Sequence, residues 1–224
     1  MTKVAIVGGG PREHIPDLTV YVEEEIIWIG ADHGSLSLLD QGIIPNHAVG
    51  DFDSVTAEEK DDIMEQAHQF KEYPAEKDET DLEIALRTAY KYNPTVLYLF
   101  GVTGGRLDHE LINIQLLYPL HQKQIRGVVI DKGNWVELKE PGLHEVAHSD
   151  RYPHISYIPL TPEVSGLTLS SFYYPLENAT VTWGSTLCIS NKLISEKGTF
   201  SFEEGILLLV KSRDVIGGLN PGLV

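Results

Sequence analysis

The run Gly50-Asp51-Phe52-Asp53-Ser54 places two carboxylates two residues apart behind a short apolar stretch. Alternation across Phe52 lets both acids face one side of an extended or turning backbone while the ring packs inward. Magnesium takes one or two such carboxylates and completes its octahedron with water and substrate phosphates. The plainer reading is a polar turn, which Asp and Ser favour in their own right. Two more polar clusters follow predicted strands in the same half of the chain, Lys77-Asp78-Glu79-Thr80-Asp81 and Gly104-Gly105-Arg106-Leu107-Asp108-His109. Asp78 and Asp81 stand at a predicted helix start, where Asp78 is expected to cap the backbone and Asp81 to fall near the same face. Capping alone would account for them, but Lys77, an ammonium beside two acids, suits a site that handles both phosphate and metal. Gly104 and Gly105 let backbone approach a ligand closely, and the Arg106 guanidinium offers a planar donor fork for phosphate oxygens. Without a ligand the same stretch reads as a surface loop before a helix opened by Asp108 and His109.

These clusters need a frame that brings them together. Through about residue 130, short apolar runs alternate with helical patterns, the order expected of a parallel sheet with crossover helices. Six strands are predicted: Lys3 to Val7, Ile26 to Ile29, Ala48 to Val49, Gln69 to Tyr73, Val96 to Phe100 and Gly127 to Ile130. Thr56-Ala57-Glu58-Glu59 is a capping box that starts one helix, and Gly42 ends the helix carrying Leu36 and Leu39. Leu82, Leu86 and Ala89 recur at helical spacing until Asn93-Pro94 stops that segment. In an open parallel sheet the ligand crevice lies beyond the carboxyl ends of the strands. Every cluster falls in such a loop, including Gly8-Gly9-Gly10 after the first strand and Gly30-Ala31-Asp32-His33-Gly34 after the second. The glycine triplet lacks the full dinucleotide fingerprint, and His14, His47, His68 and His121 have no partner spacing.

After about residue 133 β-branched, aromatic and turn residues take over, so two domains are expected, an α/β domain over 1–133 and a β-sandwich over 134–224. Strand-like runs there are Ile155 to Ile158, Leu167 to Leu169, Ala179 to Trp183, Thr199 to Phe202 and Ile206 to Val210, with Glu203-Glu204-Gly205 as a turn. Pro141 to Pro153 is polar and weakly patterned and reads as a mobile connection.

Of 224 residues 42% are apolar, enough for a proper core. The balance of 17 Lys and Arg against 33 Asp and Glu, a formal charge of −16, argues against a nucleic-acid partner. Bound metal and a few focused cations can still reverse the field in one cleft. A lone cysteine, Cys188, forms no internal disulfide, and there is no Cys/His pattern for structural zinc. With no secretory leader at Met1 and no apolar run near the roughly 18 residues of a membrane span, a cytoplasmic protein without a membrane partner is expected.

The clusters, in this order and at these spacings, resemble the thiamine pyrophosphokinase family of the bacterial type. The likeness rests on Gly30-Ala31-Asp32, Gly50-Asp51-Phe52-Asp53-Ser54, Asp78-x-Thr80-Asp81, Gly104-Gly105-Arg106-x-Asp108-His109 and, in the second half, Ser190-Asn191 within the stretch from Trp183. Departures are His33, where many members have glycine, and the absence of an aromatic from Ile206 to Val210. The resemblance implies a Rossmann-like domain of mostly parallel strands, a C-terminal β-sandwich, and a homodimer whose thiamine sites form where the subunits meet. It also implies the reaction, transfer of a pyrophosphoryl group from ATP to the thiamine hydroxyl, giving thiamine diphosphate and AMP with Mg2+.

On that reading Asp51, Asp53 and Asp81 hold metal, Asp78 shapes the same acidic pocket, Arg106 neutralises developing charge, and Asp108 orients Arg106 or binds metal through water. Nucleotide contacts are expected from Asp32, Ser54, Lys77, Thr80, Gly105, Arg106 and His109. Thiamine carries a cationic thiazolium, for which Trp183 and Tyr174 offer aromatic faces. Ser190 and Asn191 are expected on the aminopyrimidine. A metal-dependent nucleotide-sugar transferase, and a non-catalytic nucleotide- or thiamine-binding module, are the alternatives that Asp51-x-Asp53 alone permits.

Overall fold

The structure, a computed structural model, describes residues 1–22, 25–76 and 78–214. It divides into two compact units, Met1–Asp131 and Lys132–Val224.

The first unit runs β1 (Lys3–Val7), β2 (Ile26–Ala31), α1 (Gly34–Leu39), β3 (His47–Gly50), α2 (Ala57–Gln66), β4 (Phe70–Glu72), α3 (Asp81–Tyr90), β5 (Val96–Phe100), α4 (Leu107–Gln115), α5 (Leu117–Gln122) and β6 (Arg126–Ile130). All six predicted strands are present. Their order is β4-β3-β2-β1-β5-β6, every neighbouring pair parallel. Parallel strands covered on both faces must be apolar along their whole length, and Val4 to Val7 and Leu97, Leu99 and Phe100 are fully buried. The order turns back on itself at β1, with β2 on one side and β5 on the other, which is where such sheets open a crevice at their carboxyl edge. At that edge the loops after β1 and β5 are tied by Gly8 N–H to the Phe100 carbonyl and Gly10 N–H to the Gly101 carbonyl, both at 2.8 Å. A Cβ at Gly10 would lie 2.6 Å from the Gly101 carbonyl oxygen, so this approach requires glycine.

The helices begin where their caps dictate. Thr56 and Glu59 form the expected capping box of α2, and Gly42, at φ +72°, follows the end of α1. At α3 the cap is Thr80, whose hydroxyl accepts the Glu83 N–H while the Glu83 carboxylate accepts the Thr80 N–H, so the assignment of Asp78 as the cap is corrected. Thr-x-x-Glu satisfies two orphan donors reciprocally, whereas an Asp two residues earlier satisfies none in that turn.

The second unit holds β7 (Asn134–Lys139), β8 (Gly142–Ala147), β9 (His154–Pro159), β10 (Glu163–Ser170), β11 (Leu176–Thr182), β12 (Lys197–Phe202) and β13 (Leu207–Ser212). Antiparallel ladders order them as β7-β13-β9 and β11-β10-β12-β8. One core joins the two layers, with Tyr157 from β9, Leu167 from β10, Phe200 from β12, Leu209 from β13 and the loop residue Cys188. Burial pushes the Cys188 thiol up to about 11.

Two expectations are corrected. The expected sheet sizes are not kept: the second unit holds seven strands, the trio β7-β13-β9 and a four-stranded layer, where five strand-like runs are read from the sequence. The stretch Pro141 to Pro153 is not simply a mobile connection, because β8 lies within it, paired to β12 from Ala147↔Lys197 to Gly142↔Phe202. β8 is an outer strand with Val146 as its one fully buried side chain, so its apolar alternation is too weak to register. No helix among the described residues is long and apolar enough to cross a membrane.

Candidate active site

The acidic centre is built at the carboxyl ends of β2 and β3. These strands pair in parallel, and the Asp32 N–H continues their ladder to the Val49 carbonyl at 2.8 Å, which brings Asp32 beside the residues that follow Gly50. Phe52 sits at φ +57° with its side chain 3% exposed, in a cluster with Leu36, Ala48 and Ile63. A bulky residue in the left-handed region is an outlier that surrounding packing must impose. Here Phe70 imposes it, its ring stacked on that of Phe52 with centroids 4.6 Å apart. With the aromatic pulled inward, as expected, Asp51 and Asp53 stay on the outer side. The Asp53 N–H donates to Asp51 Oδ1 at 3.2 Å.

Carboxylate oxygens of Asp32, Asp51 and Asp53 all lie within 4.8 Å of one another. Asp32 Oδ2 accepts the Ser54 hydroxyl, and Asp32 Oδ1 is buried without a hydrogen-bond partner among the described residues. An orphaned oxygen beside two more hard carboxylates is a donor set that fits Mg2+. The crowding is electrostatic as well as spatial: the charges of Asp51 first, then burial, then Asp32 and Asp81 push the Asp53 carboxyl above its ordinary range. Asp81 is thus within electrostatic reach of the cluster from the first turn of α3, while the tight trio takes Asp32 in its place. Asp78 is exposed, Thr80 is occupied by its capping box, and Lys77 lies outside the described residues.

The basic side of the edge is the loop after β5. Gly104 adopts φ +84°, and a Cβ there would lie 2.4 Å from the His14 ring. Gly105 is exposed next to it. Arg106 and Asp108 form a bidentate pair, Nε to Oδ1 at 3.1 Å and a terminal nitrogen to Oδ2 at 2.6 Å. The Arg106 guanidinium, with the His109 N–H at 3.0 Å adding to it, brings the Asp108 carboxyl down to about 2. Both side chains are largely exposed. Arg106 is therefore held in a fixed orientation and still open to a ligand.

In the second unit Trp183 and Tyr174 are exposed. Ser190, at φ +56°, donates its N–H to the Ser156 hydroxyl at 3.0 Å. Asn191 is 3% exposed, and its amide is engaged with Tyr174: Nδ2 donates to the Tyr174 carbonyl at 2.8 Å and Oδ1 accepts the Tyr174 N–H at 3.1 Å. Its side chain therefore shapes the segment that carries Tyr174.

Sequence reasoning passed over two acids. Glu110 accepts the Gly104 N–H, and buried Asp131 accepts the Thr103 hydroxyl at 2.7 Å. The available signal was an acid directly after the last parallel strand and an acid in the first turn of the helix that follows Arg106.

Residues 18–129 match the family model described as thiamin pyrophosphokinase, catalytic domain, and residues 143–207 match thiamin pyrophosphokinase, vitamin B1 binding domain. The chain is 48% identical over 214 residues to thiamine pyrophosphokinase of Bacillus subtilis, covering 96% of this chain and 100% of the relative. A crystal structure of thiamine pyrophosphokinase from Bacillus subtilis superposes with TM-score 0.89 at 45% identity, covering 96% of this chain and 100% of the other. A thiamin pyrophosphokinase family protein from Enterococcus faecalis does so with TM-score 0.84 at 33% identity, covering 95% and 100%. The acidic trio, the clamped arginine and these likenesses over both units together place the chain in the thiamine pyrophosphokinase family.

Proposed function

We propose that this chain transfers the β- and γ-phosphoryl groups of ATP as one unit to the primary hydroxyl of thiamine, releasing AMP, at a magnesium site built on Asp51 and Asp53. The observation that carries the reading is the gathering of the Asp32, Asp51 and Asp53 carboxylates at the sheet edge in a chain of this family. Mg2+ would be held by Asp51 and Asp53 with Asp32 and Asp81 alongside, and it would supply charge neutralisation for the polyphosphate. Asp78 adds to the same acidic field. Arg106, aimed by Asp108, meets the charge that develops on the phosphoryl oxygens, and Gly105 leaves room for the phosphates. Lys77, Thr80 and His109 belong to the nucleotide contacts of the proposal, and Ser54 keeps Asp32 turned toward the cluster through its hydroxyl. In-line attack needs mostly positioning, and the rigid sheet edge provides it.

Vitamin contacts are assigned to Trp183 and Ser190, with Asn191 acting through the Tyr174 segment. The division of labour is residues 1–133 as a Rossmann-like catalytic domain and 134–224 as a β-sandwich that binds thiamine and dimerises. A homodimer through 134–224 is in keeping with the exposed Leu143, Tyr173, Trp183 and Ile194 there. Incubation with ATP, magnesium and thiamine, followed by separation of products, should give AMP and thiamine diphosphate in equal amounts. Release of ADP, or no dependence on thiamine, would overturn the assignment.

A further inference from the structure

Asp131 follows directly on β6, is 5% exposed, and belongs to neither the acidic trio nor the Arg106 pair. A buried carboxylate is costly unless it is hydrogen-bonded, and an anion at the edge assigned to polyphosphate adds repulsion as well. Its position therefore calls for a use. Its Oδ2 accepts the Thr103 hydroxyl at 2.7 Å, and Thr103 stands three residues before Arg106. Three residues span at most about 10 Å, so a fixed Thr103 confines the base of Arg106.

Past Gly101, whose carbonyl accepts the Gly10 N–H, two further side-chain anchors of that loop are local to α4: the Asn113 amide donates to the Val102 carbonyl at 2.9 Å, and Glu110 accepts the Gly104 N–H. Both travel with the helix that Arg106 opens. The Asp131 bond ties the loop instead to the end of a neighbouring parallel strand, since β6 pairs with β5 from Arg126↔Val96 to Ile130↔Phe100. The backbone bonds at Phe100 and Gly101 fix the start of the loop; beyond them the helix anchors would let the rest of the loop and α4 move as one piece, and the Thr103–Asp131 bond holds that piece against the sheet.

We propose that Asp131 is a positioning residue that, through the Thr103 hydroxyl, holds the Gly104-Gly105-Arg106 loop where it receives the phosphates of ATP. This rests on the reading that Arg106 meets phosphate. Asp131 touches no reacting atom and acts through loop geometry, so its removal falls on the nucleotide rather than on thiamine.

The test uses the full chain with Asp131→Ala, Thr103→Val, Thr103→Ser and the Asp131→Ala/Thr103→Val double variant. Kinetics are measured with each substrate varied in turn, alongside magnesium–ATP binding by calorimetry and thermal unfolding. Asp131→Ala and Thr103→Val should each weaken ATP affinity and kcat/KM for ATP on the order of ten- to a hundredfold, with KM for thiamine unchanged. For ATP affinity the double variant should be no worse than the poorer single, because both break the Thr103–Asp131 bond, and Thr103→Ser should restore ATP affinity. Wild-type ATP affinity in Thr103→Val would overturn the proposal. Equal losses for both substrates that track the fall in melting temperature, or losses that add in the double variant, would do the same. A wild-type chain that binds magnesium–ATP yet makes no AMP with thiamine defeats the functional reading instead, and the calorimetric comparison still decides the role of Asp131.

Discussion

Phe52 and Phe70 stack with ring centroids 4.6 Å apart and planes 22° from parallel, and that stack holds Phe52 in the left-handed backbone region between two acids. The conformation costs about 1–3 kcal/mol. Burial of the ring returns a similar amount, about 1.5–3 kcal/mol. The turn is therefore stable only while the ring stays in its pocket. Phe52→Ala should lower unfolding free energy by about 3–5 kcal/mol in urea titrations. Phe52→Leu keeps most of the volume and should cost under about 1.5 kcal/mol, yet it should still reduce turnover because the Asp51–Asp53 splay relaxes.

Asp53 gives a stability test whose sign is set by its raised carboxyl. The folded chain holds this proton more tightly than the unfolded one, so stability is greatest below the ordinary carboxylate range and falls as pH rises through the elevated value. Asp53→Asn should abolish that fall, raising the melting temperature near neutrality without metal. Added magnesium should stabilise the wild type and have a much smaller effect on Asp53→Asn, while AMP release by the variant is lost. A variant that keeps activity within about tenfold would count against a direct metal role.

Asp108 runs the opposite way. Its carboxyl is brought down to about 2 by Arg106, so the pair's contribution is present above the ordinary carboxylate range and lost as pH falls toward about 2. Both side chains are exposed and screened by solvent, which leaves little effect on stability. Asp108→Asn should therefore melt like the wild type at neutral pH, with kcat/KM for ATP reduced on the order of a hundredfold as the guanidinium loses its orientation. Thermal scans and initial rates on the same preparation separate the two effects.

Thr80 controls how α3 presents Asp81. Thr80→Ala removes the side chain that accepts the Glu83 N–H at 3.2 Å and should cost about 0.5–2 kcal/mol. Thr80→Ser should retain the cap. If Asp81 acts at the site, Thr80→Ala lowers activity more than its stability loss accounts for at a temperature where the protein is fully folded.

What could be read from the chain follows from burial. Val4 to Val7 and Val96 to Phe100 announce themselves because a parallel strand is covered on both faces and has no polar alternation to confuse the pattern. β8 fails the same reading, since an outer strand with one buried side chain carries almost no apolar signal. Asp51 and Asp53 were visible as a pair because they are two residues apart. Their third companion, Asp32, reads in the sequence as a nucleotide contact rather than as part of the acidic cluster: it is nineteen positions before Asp51, and the parallel register of β2 with β3 is what brings them together. Asn191 illustrates a different limit, because residue type predicts hydrogen bonds without predicting the partner, and the Tyr174 backbone takes the amide that a ligand was expected to meet.

Cys188 lies 1% exposed in the core of the second unit, its thiol held protonated by burial. Thiolate is the reactive form, so alkylating reagents should spare the native chain and label it once that core opens. The sole sulfhydryl is thus a built-in clock for unfolding of the antiparallel layers, readable by mass spectrometry without introducing a probe.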